Sequence, residues 1–235
     1  MDTEYEAGVE MGRFFAEKGI KTAAIYGAFI PNPMHVYRVA GVLSGLGLSY
    51  DGATEEGEVV GKIFTDQSVD LSKISGDIQI VSYLQGYGDT TTDEINAAIQ
   101  AKPEAFISVG MATTFFTQQL NAAGIEFSDI DSFTQSNGEA ITNGKLVYLA
   151  GKYSSSVGPA FALVLNAING NVIRDEQGNA VSLSQNYQVA TDEATFDEFY
   201  KSDNGDNPIY NKETLDQIIG ESVTFDEINE LVTSK

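Results

Sequence analysis

Apolar residues follow a helical period at the start of the chain and then gather into a short continuous run. Residues 5–18 place apolar side chains at near-helical spacing, and Gly19 follows as a C-terminal stop signal. Residues 22–28, TAAIYGA, are typical of a strand buried on both faces. The two prolines of residues 29–33 forbid a helix there and lead into a second predicted helix over 34–47.

The alternation of strand-like and helical patterns continues to residue 151. Further strands are predicted over 78–84, 105–110, 125–133 and 145–151, with helices over 92–100 and 112–124. Strands that alternate with helices of about ten to fifteen residues indicate βαβ units. The pattern therefore predicts an α/β fold, a doubly wound parallel sheet with helices on both faces.

The pattern changes after residue 151. A long helix rich in Ala, Leu and Val is predicted over 155–169, a turn over 174–179 and a strand over 180–190. The remaining residues form an acidic helical C-terminal tail, in which Thr224 and Glu227 have the spacing of a capping box.

Among the properties of the composition, the net charge restricts the possible partners most. Hydrophobic residues make up 42% of the chain, which is enough for a packed core. The formal net charge is −21. A nucleic acid or an anionic membrane surface would be repelled by this field, because both bind clustered Lys and Arg. We therefore expect no nucleic-acid partner.

Side chains that could carry out chemistry are scarce. The sequence has no cysteine and one histidine, His35, which excludes disulfides, cysteine-ligated zinc, thiol catalysis and a multi-histidine metal centre. No glycine-rich nucleotide motif follows a predicted strand. We expect no metal, no cofactor and no enzymatic activity, and we interpret His35 as a structural residue in the first turn of a helix.

The hydrophobic pattern also predicts no segment that could enter a membrane. No run approaches about 18 uninterrupted apolar residues, so we expect no direct membrane insertion. The first residues, MDTEYEAG, carry acids where a signal peptide has basic and apolar regions. Either the protein is cytoplasmic, or its export signal lies upstream.

Ligand binding is predicted at one edge of the sheet. Open parallel sheets bind ligands beyond the carboxyl ends of their strands, where the loops converge. The predicted loops at this edge are 27–35, 85–92, 110–113 and 131–138. The candidate ligand-binding residues on or beside them are Phe29, Asn32, Arg38, Tyr87, Asp89, Met111, Thr134 and Gln135.

Arg38 is the strongest of these candidates. Only 13 residues of the chain are basic, and this one lies beside the predicted edge. Its planar guanidinium could fork onto sugar hydroxyls or a carboxylate. A structural salt bridge is the alternative, and the sequence leaves both roles open.

The order of elements has a family resemblance. Segments 2–27, 34–47, 78–133 and 143–171 resemble the periplasmic sugar-binding proteins related to ribose-binding protein. The effector domains of lactose repressor share this fold. The resemblance implies a second lobe over 1–151, returning elements of the first lobe over 152–190, and a tail over 191–235 that packs on the lobes. It also places Arg38 on the arginine of an R-x-x-G element that contacts ligand.

The chain departs from ribose-type binders at several ligand positions. Gly110 and Met111 stand where those proteins carry an Asn-Asp pair, Thr134 and Gln135 where they carry an aspartate, and Gly151 where they place a glutamine. Most of the polar groups that grip sugar hydroxyls are thus absent. These departures weigh against a simple monosaccharide and leave a less polar or differently functionalised solute open.

The resemblance implies an extracytoplasmic solute-binding component of an ABC-type importer, located in the periplasm or anchored at the cell surface as a lipoprotein. Its partners would be a small-molecule solute, sugar or sugar-like, and a membrane permease. The alternative is an effector-sensing domain of a transcription regulator or membrane receptor. Family members have a first lobe ahead of the position where this chain begins, so helix 155–169 would lack its usual sheet. We expect a homodimer or an exchanged element to cover its apolar face.

Overall fold

A six-stranded sheet forms the centre of the protein. The computed structural model describes residues 2–175 and 177–234. The strands are β1 (Thr22–Tyr26), β2 (Ser49–Tyr50), β3 (Ile74–Ser75), β4 (Gln79–Leu84), β5 (Ala105–Ser108), β6 (Glu126–Ile130), β7 (Leu146–Gly151) and β8 (Gln188–Ala190). The order in the main sheet is β4-β1-β5-β6-β7-β8, and β2 and β3 form a separate antiparallel pair.

Helices follow most of the strands. They are α1 (Asp2–Glu17), α2 (Pro33–Gly45), α3 (Glu56–Asp66), α4 (Thr91–Gln100), α5 (Ala112–Ala123), α6 (Gln135–Thr142), α7 (Val157–Ile168), α8 (Glu193–Asn204), α9 (Lys212–Asp216) and α10 (Phe225–Thr233). Two 3₁₀ turns lie at Leu71–Lys73 and Ser154–Ser156. The predicted α/β fold is confirmed.

The sheet is doubly wound about β1. The chain passes from β1 outward to β4 and then crosses back to β5 on the other side of β1. Because such crossovers are right-handed, this reversal places α2 on one face of the sheet and α4, α5 and α6 on the other. The reversal also opens a crevice at the carboxyl ends of β1 and β5.

The last strand differs from the prediction. Residues 180–190 were expected to form one strand, but only β8 (Gln188–Ala190) pairs with the sheet, antiparallel to β7. The preceding residues have no sheet neighbour apart from an isolated bridge between Arg174 and Ala180. These residues alternate between apolar and polar, but their backbones form no ladder of hydrogen bonds with a neighbouring strand. The alternation in the sequence therefore predicted a longer strand than the fold contains.

Glycines bring α1 and α2 into unusually close contact. A Cβ atom on Gly8 would lie 2.2 Å from the carbonyl oxygen of Arg38, and one on Gly41 would lie 2.1 Å from that of Tyr5. The backbones of the two helices can approach this closely only because no side chain stands between them. The contact holds the first turn of α1 against Arg38.

The C-terminal tail packs against the inner face of α7. Ala162 forms a small apolar cluster with Ile218, Ile228 and Val232. The predicted capping box is confirmed, since Thr224 Oγ1 accepts from the Glu227 N–H while the Glu227 carboxylate accepts from the Thr224 N–H.

The outer face of α7 is apolar and exposed. It carries Val157, Phe161, Val164 and Ile168, at spacings of four, three and four residues, and Val172 follows beyond the helix. Val157 is 70% exposed and Ile168 is 74% exposed. We call these five residues the α7 stripe. The sequence-based expectation of an unpartnered apolar face on this helix matches its exposure.

Candidate functional site

An open cavity of about 450 Å³ lies at the carboxyl ends of the central strands. Its wall is formed by Glu4, Met34, His35, Arg38, Gly110, Met111, Ile130, Asp131, Ser132, Lys152 and Tyr187. These residues come from α1, from α2, from the end of β6, from the segments that follow β5, β6 and β7, and from the residue before β8. We call this space the strand-end cavity. It lies where the topology predicts ligand binding.

Arg38 is held rigidly in the wall of this cavity. Its Nε donates to Glu4 Oε2 at 2.7 Å, and its Nη1 donates to the carbonyl oxygen of Val109 at 2.9 Å. Its Nη2 donates to the hydroxyl of Tyr187 at 2.6 Å. The side chain is buried, so these contacts fix the guanidinium plane before any ligand arrives.

Glu4 compensates the two cations of the cavity. One carboxylate oxygen pairs with Arg38, and the other accepts from Lys152 Nζ at 3.0 Å. Tyr187 also donates its hydroxyl hydrogen to Glu4, at 2.7 Å. Burial would raise the pKa of Glu4, but Arg38, Tyr187 and Lys152 together hold this pKa below its ordinary value. Glu4 is therefore an ionised residue at neutral pH.

Tyr187 and Lys152 close one side of the cavity. The Lys152 ammonium lies 4.3 Å from the centroid of the Tyr187 ring, within cation–π distance. Burial raises the pKa of the Tyr187 hydroxyl, with a smaller raising effect from Glu4. Tyr187 thus stays a neutral phenol that passes a hydrogen bond from Arg38 to Glu4.

A buried carboxyl group lies behind the cavity. Asp129 accepts from the Ser108 hydroxyl at 3.0 Å and from the backbone N–H groups of Thr113 and Ile130 at 2.8 and 3.0 Å. Burial raises the pKa of Asp129 to about 6. These bonds tie the segment after β5 to the end of β6, which supports both walls of the cavity.

Two of the eight candidate ligand residues line the strand-end cavity, namely Arg38 and Met111. Met111 has a left-handed backbone, with φ of 69°, at the start of α5. Phe29 lies next to the cavity, where its backbone N–H donates to His35 Nδ1 at 3.1 Å, and the residue is 39% exposed. Asn32 is exposed and caps α2 by accepting from the Met34 N–H.

The other four candidates lie outside the wall of this cavity. Tyr87 stacks on Phe115 with ring centroids 4.1 Å apart. Asp89 is exposed in the same loop. Thr134 caps α6 by accepting from the Asn137 N–H, and Gln135 donates to Glu139. Contact of these residues with a ligand stays a prediction.

A second cavity, of about 640 Å³, lies between α6 and α8. Gln135, Glu139, Phe196, Asp197 and Tyr200 are among its lining residues. It is larger than the strand-end cavity, but it opens between two surface helices, away from the ends of the central strands. Among the described residues that line it, the ionised groups are carboxylates, and none of the side chains that can donate a hydrogen bond is buried. We therefore assign the functional site to the strand-end cavity.

Sequence reasoning missed several residues of the cavity wall. Glu4 and Tyr187 lie far from the predicted loops along the chain, and no local pattern marks them. Lys152 directly follows the predicted strand 145–151, so its position at the carboxyl end of a strand was the available signal. His35 lies inside the predicted loop 27–35 but was interpreted as structural. Its ring contributes to the cavity wall, and burial lowers its pKa below the ordinary value. Position within a predicted loop was the available signal for this residue.

Two further features bear on the chemistry of the site. Within residues 2–175 and 177–234, no group of three or more imidazole or carboxylate side chains could hold a metal ion. In the same part of the chain, no helix is both long and apolar enough to cross a bilayer.

Comparison with known proteins gives a structural likeness only. No family model matches the sequence, and no curated protein matches it. A periplasmic solute-binding protein of an ABC transporter from Actinobacillus succinogenes, solved with D-allose, superposes with a TM-score of 0.58 at 15% identity over 84% of this chain. An arabinose-binding protein from Shewanella sp. ANA-3 gives 0.56 at 16% identity over 85%. The fructose-binding periplasmic domain of the hybrid two-component system BT1754 gives 0.56 at 13% identity over 84%.

The match covers less of those proteins than of this chain. The chain spans 62%, 60% and 59% of their respective lengths. The three superpositions agree with one another. The chain therefore has the fold of the periplasmic sugar-binding proteins of ABC transporters.

Proposed function

We propose that this chain is part of an extracytoplasmic solute-binding protein that delivers a sugar or sugar-like molecule to the permease of an ABC-type importer. The observation that carries the proposal is the strand-end cavity with Arg38 held in its wall by Glu4, Val109 and Tyr187. A fixed guanidinium at the carboxyl edge of a doubly wound sheet is a recognition group for ligand oxygens.

The chemistry of the wall suits a polar ring with an apolar face. The Arg38 guanidinium has five N–H groups, and three of them donate to Glu4, Val109 and Tyr187. The remaining N–H groups are available to a ligand. Met34, Met111 and Ile130 supply apolar surface in the same wall. Small-molecule sites combine such apolar walls with a few placed polar groups.

The domain division follows from this proposal. Residues 1–151 would form one lobe, 152–190 the returning elements of the other lobe, and 191–235 a tail that packs on them. In the intact protein a second lobe would close over the strand-end cavity, and ligand contacts made better in the closed state would drive that closure. The chain alone would then bind its solute weakly, because it supplies one side of the cleft.

Binding without covalent chemistry is the role that the site supports. The carboxylates Glu4 and Asp131 lie in the wall, but Glu4 is committed to Arg38 and Lys152. Asp131 accepts from the backbone N–H of Ser132 at 2.8 Å. Neither arrangement provides a free acid and base pair on opposite sides of a scissile bond.

Thermal unfolding tests the proposal. The melting temperature would be measured with D-allose, L-arabinose and D-fructose, with sorbitol at the same concentration as a control for solvent effects. One sugar should stabilise the protein by about 2.7 kcal/mol when it is present at a hundred times its dissociation constant. The expected result is a shift with at least one sugar that sorbitol does not produce.

A pair of variants assigns the shift to the strand-end cavity. Arg38→Lys keeps a cation beside Glu4 but removes the fork of N–H groups, so the sugar-dependent shift should disappear. Arg13→Lys changes an exposed arginine of α1 and should leave the shift intact. If no sugar shifts the melting temperature of the unchanged protein, the sugar-binding function is overturned.

A sensor domain is the second candidate function. The likeness to the periplasmic domain of a two-component system favours it, because that domain has the same fold. Both functions use the same cavity, so ligand binding does not separate them. A stable complex of the natural full-length protein with a permease would favour the importer, and a kinase or DNA-binding region on the same polypeptide would favour the sensor.

A further inference from the structure

The only histidine of the chain has a fixed hydrogen-bonding state. His35 is 6% exposed, and its Nδ1 accepts a hydrogen bond from the Phe29 backbone N–H at 3.1 Å. An Nδ1 that accepts cannot carry the ring hydrogen, so the neutral imidazole carries it on Nε2. Burial lowers the pKa of His35 and Arg38 lowers it further, while the backbone of Phe29 and the charge of Glu4 raise it; the net pKa lies below the ordinary value of 6.5, so the ring is neutral at pH 7.

The Nε2–H of His35 faces the strand-end cavity. His35 lines this cavity, and no hydrogen bond to its Nε2 is formed by the described residues. An N–H at a cavity wall without a protein partner needs water or a ligand to accept from it. The geometry thus leaves this N–H available to a ligand.

Gly110 leaves open the space between this donor and Arg38. A Cβ atom on Gly110 would lie 3.6 Å from Arg38 Nη1 and 3.8 Å from His35 Nε2. Both nitrogens therefore border one small volume that any larger residue would fill. The backbone of Gly110 is not left-handed, so conformation does not require a glycine at this position.

We propose that His35 Nε2 and Arg38 Nη1 form a donor pair that binds one ligand oxygen over Gly110. This oxygen accepts two hydrogen bonds, as a carbonyl, ring or hydroxyl oxygen can. The inference rests on the proposed ligand-binding function of the strand-end cavity and makes it more specific. His35 is a specificity-determining residue in this arrangement, and a ligand without an acceptor at this position is rejected because both donors would stay unpaired.

The charges of the wall indicate a neutral ligand. The ionised side chains are two carboxylates, Glu4 and Asp131, and two cations, Arg38 and Lys152, so their formal charges cancel. His35 is neutral and the charge of Arg38 is already counted, so the donor pair adds no charge to this balance. The net charge of −21 on the whole chain further disfavours an anion.

Nuclear magnetic resonance of the single histidine tests the donor pair without a known ligand. Labelling with ¹⁵N-histidine gives one spin system, and the spectrum at pH 7 should show the Nε2–H tautomer. Dimethyl sulfoxide is the probe, because its oxygen accepts hydrogen bonds and donates none. The Nε2 resonance should shift saturably with this probe, and Gly110→Ala should abolish the saturable shift by filling the space.

Gly110→Ala is expected to fold, because the contacts of its methyl group, at 3.5 to 3.8 Å, are ordinary van der Waals distances. An imidazolium or an Nδ1–H tautomer at pH 7 would overturn the proposal. So would an unsaturable shift in the unchanged protein, or a saturable shift of equal size in Gly110→Ala.

Two substitutions of His35 extend the test to sugars. His35→Gln keeps an amide oxygen as an acceptor and an amide N–H as a donor, whereas His35→Phe has neither. For a sugar that binds the unchanged protein, the dissociation constant should rise at least tenfold more in His35→Phe than in His35→Gln. Equal weakening would contradict a donor role. If dimethyl sulfoxide gives the expected result while no sugar binds, the donor pair stands and the sugar-binding function fails.

Discussion

Glu4 and Arg38 form a buried ion pair with an Nε–Oε2 distance of 2.7 Å, and this pair orients the only arginine of the strand-end cavity. The two residues lie 34 positions apart, in α1 and α2. Their meeting depends on the glycine contacts that bring these helices together. The ion pair thus connects the packing of the fold to the geometry of the binding site.

Removal of the Glu4 charge should destabilise the protein. Glu4→Gln leaves Arg38 and Lys152 without their common anion, and loss of one partner of a buried pair costs about 3 kcal/mol. Urea unfolding at pH 7 measures this difference. Glu17→Gln, which changes an exposed glutamate of the same helix, should alter the free energy of unfolding by less than about 0.5 kcal/mol.

The pH dependence of this effect has a definite sign. The pKa of Glu4 is lowered in the folded protein, so its ionised form is favoured by folding. Its contribution to stability is therefore present above the ordinary value of 4.5 and is lost as the pH falls through the lower, folded pKa. An equal penalty for Glu4→Gln at pH 7 and at the low-pH end of the transition would contradict the ion-pair interpretation.

Asp129 should give the opposite pH dependence. Its pKa is raised from the ordinary value of 3.8 to about 6, so the folded state binds its proton more tightly than the unfolded state does. Protonation then stabilises the fold as the pH falls from about 7 to 4, by on the order of 3 kcal/mol.

Asp129→Asn isolates this contribution, because asparagine does not titrate. The free energy of unfolding of the unchanged protein, minus that of Asp129→Asn, should increase as the pH falls over this range. A difference that stays constant with pH would show that the pKa of Asp129 is not raised.

The glycine contact between α1 and α2 should be intolerant of a methyl group. Gly41→Ala places a Cβ atom 2.1 Å from the Tyr5 carbonyl oxygen, and overpacking of this kind costs about 1–3 kcal/mol. Gly57→Ala in α3 is the matched control, because nothing lies within 4 Å of its Cβ position. This control should stabilise the helix by up to about 1 kcal/mol. Chemical unfolding measures the free energy of unfolding of both variants. If Gly41→Ala does not lower this free energy relative to Gly57→Ala, the close packing of α1 against α2 is contradicted.

The α7 stripe should mediate self-association of this chain. Residues 153–173 contain no charged residue, although the chain carries a net charge of −21. A second copy can approach this uncharged apolar surface with less repulsion than any acidic one. We expect a dimer by light scattering, and we expect Phe161→Asp to shift it to a monomer.

Leu71→Asp is the control for this prediction. It adds the same charge to a partly exposed apolar residue that lies outside the stripe, so the dimer should persist. A monomer at high protein concentration for the unchanged chain would show that a second copy does not cover the α7 stripe.

The main elements of the fold were predictable from the sequence because they depend on short-range spacing. Alternating buried strands and amphipathic helices identified β1, β4, β5, β6 and β7 with small errors at their ends. The sequence also placed the site at the carboxyl edge of the sheet, since topology alone determines where the loops converge. The length of β8 was overestimated, because the alternation of apolar and polar residues does not show whether a neighbouring strand is present to pair with.

The composition of the binding site was decided by tertiary structure. Arg38 was recognised from its position, but its partners Glu4 and Tyr187 are separated from each other by 183 residues. No local pattern encodes such a meeting, because it requires the helix packing at Gly8 and Gly41 and the return of the chain to β8. The sequence by itself determined the alternation of elements and the edge of the sheet at which the strand-end cavity lies. Only the folded structure decided which charges neutralise one another there, because long-range contacts depend on how elements pack rather than on the spacing within them.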